Sequence, residues 1–273
     1  MSMPKTLNVH DRERAHHDQW AEETRVADVL VHPLFEAPTA PENRFIVAHM
    51  GDLKGKRLLD IGCGLGESSV YFALKDARVT ALDISPGMVD FAHRLAAYHG
   101  VSIEGLVSPA EILPAPDCSY DLVYIANLIH HVHDRDRLFT EVRRVLKPGG
   151  WFYSWDPIAY NPVINVYRRM ANEVRSDDET PLTMADANLA RRYFEPVNTR
   201  MFWIFTLMLF IKYYTVNGIH PNADRYWKRI LSETHRSLWW WQPLRGLDAL
   251  FTRIPGLRYL AWNMVMFGRK AAG

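Results

Sequence analysis

The sequence predicts an α/β protein built on a mostly parallel sheet with helices on both faces. Three observations predict it. Short apolar runs alternate with amphipathic helical stretches from about residue 55 to 156. One of those runs, Leu58-Leu59-Asp60-Ile61, enters a turn with glycines at 62, 64 and 66 before a helix begins near Ser68. The 273 residues are 48% hydrophobic and 23% charged, which excludes a linker or a disordered tail and leaves enough apolar side chain for a sizeable core.

Taken in order, His10 to Arg25 reads as a polar helix anchored by Trp20. RLLDI, RVTALD, IEGLV, DLVYIA and GWFYSW read as five strands, with helices over Met88 to Tyr98 and Arg135 to Val145 between them. Strand and helix in alternation imply parallel strands joined by crossovers, covered on both faces. After Asp156 the texture turns aromatic and basic, and no strand pattern returns until Tyr193 to Met201 and Tyr259 to Phe267.

The glycine turn carries the first chemistry. A backbone that must turn sharply and approach a ligand has no room for a Cβ. Asp83, at the tip of the next strand and 21 residues after Gly62, supplies a carboxylate suited to a ribose diol. Either a dinucleotide or S-adenosylmethionine carries such a ribose. The dinucleotide fingerprint requires its third glycine at position 67, where this chain has Glu67. The spacing here is Gly-x-Gly-x-Gly, preceded by Asp60, which could hold a water or an ammonium group.

With those residues in view, the chain resembles the class I S-adenosylmethionine-dependent methyltransferases, over roughly residues 17 to 158 and the closing strands. LLDIGCGLGESS resembles their glycine-rich loop, LDISPGMVDFA their ribose acid and following helix, SPAEILPAPDCSYDLVYIANLIHHVHD their adenine contact and fourth strand, and EVRRVLKPGGWFYSWDP their next helix, turn and fifth strand. The resemblance implies a Rossmann-like, doubly wound sheet of seven strands with an antiparallel last strand. It implies S-adenosyl-L-methionine as cofactor. Asp60, Gly62, Gly64 and Gly66 would then meet the methionine part, with Cys63 as a small spacer in the loop. Asp83 would bind ribose, Ile84 and Met88 would flank adenine, Ala110 and Glu111 would meet its edge, and Asn127 would join them from the end of the fourth strand. Met88 reads equally well as core. In the family a segment like His16 to Ala21 folds over the cofactor, but the Tyr common there is missing. Contact by His17 and a merely solvated helix both stay open.

His130, His131 and His133 form the densest titratable cluster, just after the fourth strand, where such sheets bind their ligands. His131 and His130 are the candidate catalytic residues, because a neutral imidazole beside a sulfonium can serve as base for a hydroxyl nucleophile. A zinc site would need all three rings aimed inward from one loop. No metal is therefore expected.

The resemblance puts strand six at Val197 to Phe202 and strand seven at Leu260 to Phe267, joined by far more than a hairpin loop. The expected organisation is a helical cap over residues 1–40, a cofactor-binding domain over 41–202 plus 259–273, and a helical, aromatic-rich insertion over 203–258. From Val197 onward there are eleven Lys and Arg against three Asp and Glu, a balance of +8 in a chain whose net charge is +1. Six of the nine Trp also fall there: Trp203, Trp227, Trp239, Trp240, Trp241 and Trp262. Indoles and cations beside apolar runs suit an interfacial surface, so peripheral contact with a membrane is the leading reading of the insertion. A lid over a greasy pocket and a homodimer interface are the alternatives. The apolar run Met201 to Ile211 is too short to span a bilayer and reads as a buried or interfacial helix. Two cysteines, Cys63 and Cys118, make no disulfide framework, and no leader pattern opens the chain, so the expected compartment is the cytoplasm with contact at the inner membrane surface. Nucleic acid is not an expected partner. The expected function is methyl transfer to a hydrophobic small molecule or lipid-like acceptor; the alternative is a noncatalytic cofactor-binding scaffold whose insertion mediates protein association.

Overall fold

The computed structural model describes residues 9–170, 179–216, 218, 230–231 and 234–272. Seven strands, β1 (Arg57–Ile61), β2 (Arg78–Asp83), β3 (Glu104–Val107), β4 (Tyr120–Ala126), β5 (Leu146–Pro157), β6 (Val197–Phe202) and β7 (Asn263–Arg269), form one sheet in the order β3-β2-β1-β4-β5-β7-β6. The first five run parallel, and β7 lies antiparallel between β5 and β6. Leu58, Leu59 and Ile61 are fully buried because both faces of the sheet are covered, which is why β1 reads as a continuous apolar run.

The chain order reverses between β1 and β4, which opens a crevice beyond the carboxyl ends of those strands. One face packs α6 (Arg135–Val145) through Leu138, Phe139, Val142 and Val145, with α8 (Met184–Ala190) beside it. The other face carries α2 (Val31–Glu36), α3 (Pro41–Met50), α4 (Glu67–Ala73) and α5 (Pro86–Tyr98). Local signals start these helices where they start. Ser85 accepts a hydrogen bond from Met88 N–H with Pro86 at the first helical position, and Asp134 accepts from Arg137 N–H. The polar N-terminal helix, α1 (Val9–Glu23), lies against α5.

Three expectations need correction. The Met201 to Ile211 run is not one helix. Met201 and Phe202 end β6, Trp203 turns with φ of 70°, and only Met208–Ile211 is α-helical (α9), followed by a π-helical turn over Lys212–Val216. The physical cause is Asp248 in α10 (Thr234–Phe251), whose buried carboxylate accepts the N–H groups of Ile204 and Phe205 and the Thr206 hydroxyl. Strand seven begins three residues later than expected because Leu257–Leu260 forms a 3-10 turn. Strand five begins earlier, at Leu146: Tyr120 pairs with Leu146 and Leu122 with Trp151, so LKPGG forms an irregularity inside the ladder.

A separate small core lies beyond β6. Trp203, Leu209, Phe210, Tyr213 and Trp241 cluster there with Ile164 of α7 (Pro162–Met170). Trp227, Arg225, Lys228 and Arg229, and the side chains of Trp240 and Arg236, lie outside the described residues.

Asp248→Ala strands two partly buried N–H groups and a buried hydroxyl, so we expect a loss of about 2–4 kcal/mol in the local stability of the α9 and α10 region. Hydrogen exchange should locate that loss beyond β6, with protection of β1 to β5 amides unchanged.

Candidate functional site

At the carboxyl edge of β1 the three glycines have different work. A Cβ on Gly62 would meet the Leu128 side chain at 2.9 Å, and one on Gly66 would lie 2.5 Å from the Cβ of Ala92 in α5, so the loop is pressed against the β4 end and the α5 helix. Gly66 also has φ of 87°. Gly64, with φ of 53°, meets nothing within 4 Å and looks onto open space. It is the position where backbone can touch a ligand.

Asp83 pins this loop. One of its oxygens accepts Gly64 N–H at 3.0 Å and the other accepts Ser85 N–H at 3.0 Å. Asp60 is buried beneath, accepting the Ser68 and Ser69 hydroxyls at 2.7 and 2.6 Å, and burial raises its carboxyl to about 6. Glu67 and Asp83 add repulsion to that shift, so the floor of the crevice is acidic. Burial likewise pushes the Cys63 thiol up, which leaves it inert and consistent with a spacer. Ile84 is half-buried, and Met88 has no exposed surface and packs with Phe91 and Leu65. Ala110 is buried in the other core, while Glu111 is half-buried with a carboxylate oxygen 3.9 Å from His10. Asn127 is exposed at the end of β4, with φ of 52° and its N–H donated to Trp155 carbonyl.

Helix α1 crosses this edge. Arg14 Nε donates to the Ile84 carbonyl, and Asp18 Oδ1 accepts both the Ser85 hydroxyl and Gly87 N–H. His17 Nδ1 sits 3.9 Å from Asp83 and is a buried nitrogen with no hydrogen-bond partner. Of the two readings open for this segment, contact with the crevice is the one the packing favours. The sequence pattern did not single out Glu13, Arg14 or Asp18, because each looks like any charge on a solvated helix.

Beyond β4, Ile129–His131 forms a 3-10 turn. His130 is buried, and its Nδ1 lies 2.7 Å from Asp156 Oδ1 at the end of β5. Burial raises the Asp156 carboxyl to about 8, and its second oxygen has no partner. His131 Nδ1 lies 3.1 Å from Glu13 of α1. Burial alone would lower the His131 pKa, but the bond to Glu13 and the charges of Glu179, Glu13 and Asp156 outweigh it and raise the value. The Thr180 N–H donates to the His130 carbonyl, which brings Glu179 alongside. One ligand atom from each of His130, His131 and Glu179 lies within 4.8 Å of the others, close enough to hold a cation. His133, the third ring of the sequence cluster, is not part of that group. Asp156 was missed from sequence, although it has a usable signal: like Asp83, it is an acid at the tip of a parallel strand.

Residues 59–154 match the family described as methyltransferase domain. The chain is 36% identical over 142 residues to 27-O-demethylrifamycin SV methyltransferase of Amycolatopsis mediterranei, covering 50% of this chain and 49% of that protein. It is 35% identical over 111 residues to a fatty-acid O-methyltransferase of Mycolicibacterium smegmatis, covering 40% of each. The chain thus spans half or less of the length of these curated relatives. Among solved structures, phosphoethanolamine N-methyltransferase 2 of Haemonchus contortus in complex with S-adenosyl-L-methionine is similar at a TM-score of 0.63 and 17% identity, over 99% of this chain and 62% of that one. A likeness at that identity shows the fold.

Gly66→Ala should destabilise the protein by about 2–4 kcal/mol, combining a left-handed backbone with a Cβ driven into Ala92. Denaturant unfolding at constant m-value checks it. Loss below about 0.5 kcal/mol would mean that α5 gives way freely.

Proposed function

Because residues 59–154 match a methyltransferase-domain family and the sheet order and the relatives are those of methyltransferases, we propose that this chain transfers a methyl group from S-adenosyl-L-methionine to a hydroxyl oxygen of a hydrophobic small molecule or lipid-like acceptor, with His130 as general base. The observation that carries this reading is the buried His130–Asp156 pair on the crevice side of the sheet. Relatives named for transfer to oxygen include one on a demethylrifamycin and one on a fatty acid, while others are named for transfer to nitrogen or carbon.

The residues around the glycine loop suit this cofactor by charge. Asp60, Glu67 and Asp83 make a floor that would repel a pyrophosphate and attract the ammonium and sulfonium of S-adenosylmethionine. Open space over Gly64 leaves room for it, and the unpartnered His17 nitrogen beside Asp83 offers a further contact at the ribose. Asp83 would accept from the ribose hydroxyls, Asp60 would face the ammonium end, and Ile84 would lie against the adenine. When bound, S-adenosylmethionine supplies a methyl group that is already electrophilic, so the chain's part is alignment, exclusion of water and removal of one proton.

That proton goes to His130. Asp156 holds the ring at Nδ1, and Nε2 would be the nitrogen that takes up the proton. As oxygen bonds to the methyl carbon, the hydroxyl proton passes to Nε2, and Asp156 stabilises the imidazolium that forms. His131 suits a different part. Its raised pKa keeps it charged nearer neutrality, and its bond to Glu13 makes it a positioning residue that holds α1 over the crevice. A lipophilic acceptor would also account for the exposed apolar side chains after β5, as on a cytoplasmic enzyme working at the inner membrane surface; a homodimer is the competing use of that surface.

We expect Asp83→Ala to weaken cofactor binding by roughly 2–4 kcal/mol in a protein that still folds, measured by calorimetric titration. Unchanged affinity would refute the ribose assignment. The base makes a separate prediction about pH. Burial raises the Asp156 carboxyl to about 8, and only its carboxylate can stabilise the imidazolium that forms, so the rate of the chemical step should rise with pH through about 8. Asp156→Asn should remove that rise and slow transfer on the order of 10²-fold. Single-turnover transfer of radiolabelled methyl to a hydroxylated lipophile reads both. A profile flat from about pH 6 to 9 would refute the base. A rate abolished by a chelator would instead assign His130, His131 and Glu179 to a bound cation.

A further inference from the structure

We propose that the outward face of α10, continued through Ile254, Leu257 and Leu260, is a docking surface for an anionic lipid bilayer. The inference rests on the lipophilic-acceptor reading for its purpose and on the following geometry for its existence.

Helix α10 is two-faced in an unusual way. Its inward face is defined by Trp241, at 1% exposure, and by Asp248, which is buried against the turn after β6. At 100° per residue, Trp239, Pro243, Gly246 and Leu250 fall on the opposite side, with Leu247 beside them. That outward side would be polar on an ordinary surface helix. Here Trp239 is 81% exposed and Leu250 56%, with Leu247, Ile254, Leu257 and Leu260 also exposed. The one acid of α10, Asp248, points inward; Arg253 is exposed beside the apolar stripe, and Arg245 is exposed on the flank nearer the inward face. Among the described residues of this face the result is an indole, aliphatic side chains and guanidinium groups with no carboxylate.

The same pattern recurs around the small core that α10 covers. α7 buries Ile164 in it and exposes Val163, Val166 and Met170, with Arg168 and Arg169 in its last turn. α9 buries Leu209 and Phe210 and exposes Met208 and Ile211. Neither helix contains an acid. Scattered exposed apolar side chains need no explanation, but their concentration on helices that surround one core marks a contact surface.

Charge decides between lipid and a second copy of the chain. A two-fold contact through this face would press two copies of the same basic surface against each other, with no acid on it among the described residues of α10 but the inward Asp248, and like charges brought close are costly. Anionic headgroups supply the missing charge, and indoles favour the headgroup level. No helix among the described residues is long and apolar enough to cross a membrane, so the contact is peripheral.

The test is flotation of the full chain with vesicles of phosphatidylcholine alone and of phosphatidylcholine containing phosphatidylglycerol. We expect at least about tenfold more protein on the anionic vesicles at low ionic strength, falling as salt screens the arginines. The double variant Trp239→Ser, Leu250→Glu should lose about tenfold in partitioning while keeping wild-type cofactor affinity, which separates it from a folding defect. Should that variant fail to fold, Arg245→Glu with Arg253→Glu leaves the apolar stripe intact and should abolish the preference for anionic vesicles. Absence of binding at low salt overturns the proposal, as does equal binding by folded variants. So does a wild-type dimer, seen by size-exclusion chromatography, that the double variant converts to a monomer. Cofactor titration and methyl transfer to a detergent-dispersed acceptor test the enzymatic reading independently.

Discussion

The carboxylate of Asp83 organises the carboxyl edge of the sheet, where the cofactor is proposed to bind. Its two oxygens reach in opposite directions, one to Gly64 N–H in the loop after β1 and the other to Ser85 N–H at the start of α5. A single buried side chain thereby fixes the distance between the turns that follow two neighbouring strands. Ser85 is in turn the cap of α5 and the hydroxyl held by Asp18 of α1. The helix that covers the crevice is therefore tied to the same point as its floor. Removing the carboxylate would free both a ligand contact and a joint, which is why affinity and global stability must be measured separately there.

Electrostatics divides the crevice into two compartments with opposite needs. On the β1 and β2 side, three acids gather around the loop, and burial already holds Asp60 near 6, so a cation there relieves repulsion as well as gaining attraction. On the β4 and β5 side, each histidine has a carboxylate partner, but the partners differ in depth. Asp156 is fully buried and Glu13 lies on a partly exposed helix. The deeper pair is costly to charge and so competes for a proton at mildly basic pH, while the shallower one favours the imidazolium. Adjacent histidines in one 3-10 turn thus meet carboxylates held at different depths.

Much of this was legible in the sequence because the parallel core obeys local rules. Leu58, Leu59 and Ile61 announce a strand buried on both faces, and Gly64 and Asp83 announce a loop and an acid at strand ends. Reading failed where a long-range contact overrides the local pattern. Met201 to Ile211 has the composition of one buried helix, yet Asp248, more than forty residues away, captures the amides of Ile204 and Phe205 and breaks it. Glu13, Arg14 and Asp18 were indistinguishable from solvated charges, since only their partners across the fold give them a role. Asp156 carried the strand-tip signal of Asp83, but it follows directly on the strand read as GWFYSW and nothing in a single sequence pairs it with His130.

The insertion after β6 is not an appendage that could be moved elsewhere on the sheet. Glu42 of α3 is fully buried and accepts a hydrogen bond from Asn263 at the start of β7, with Trp203 at the end of β6 as a second partner. Burial raises this carboxyl to about 7. The two ends of the insertion thus close onto one acid carried by α3. Thr39, just before that helix, also donates to the Ile230 carbonyl within the insertion. α3 packs on the sheet face that α4 and α5 share, and α4 begins at the glycine loop. The elements proposed to meet lipid and those proposed to hold the cofactor consequently share α3 and the sheet as a common base. An acceptor arriving from a membrane at α10 would approach a body already braced against the cofactor loop, and no separate domain movement is needed to relate the two.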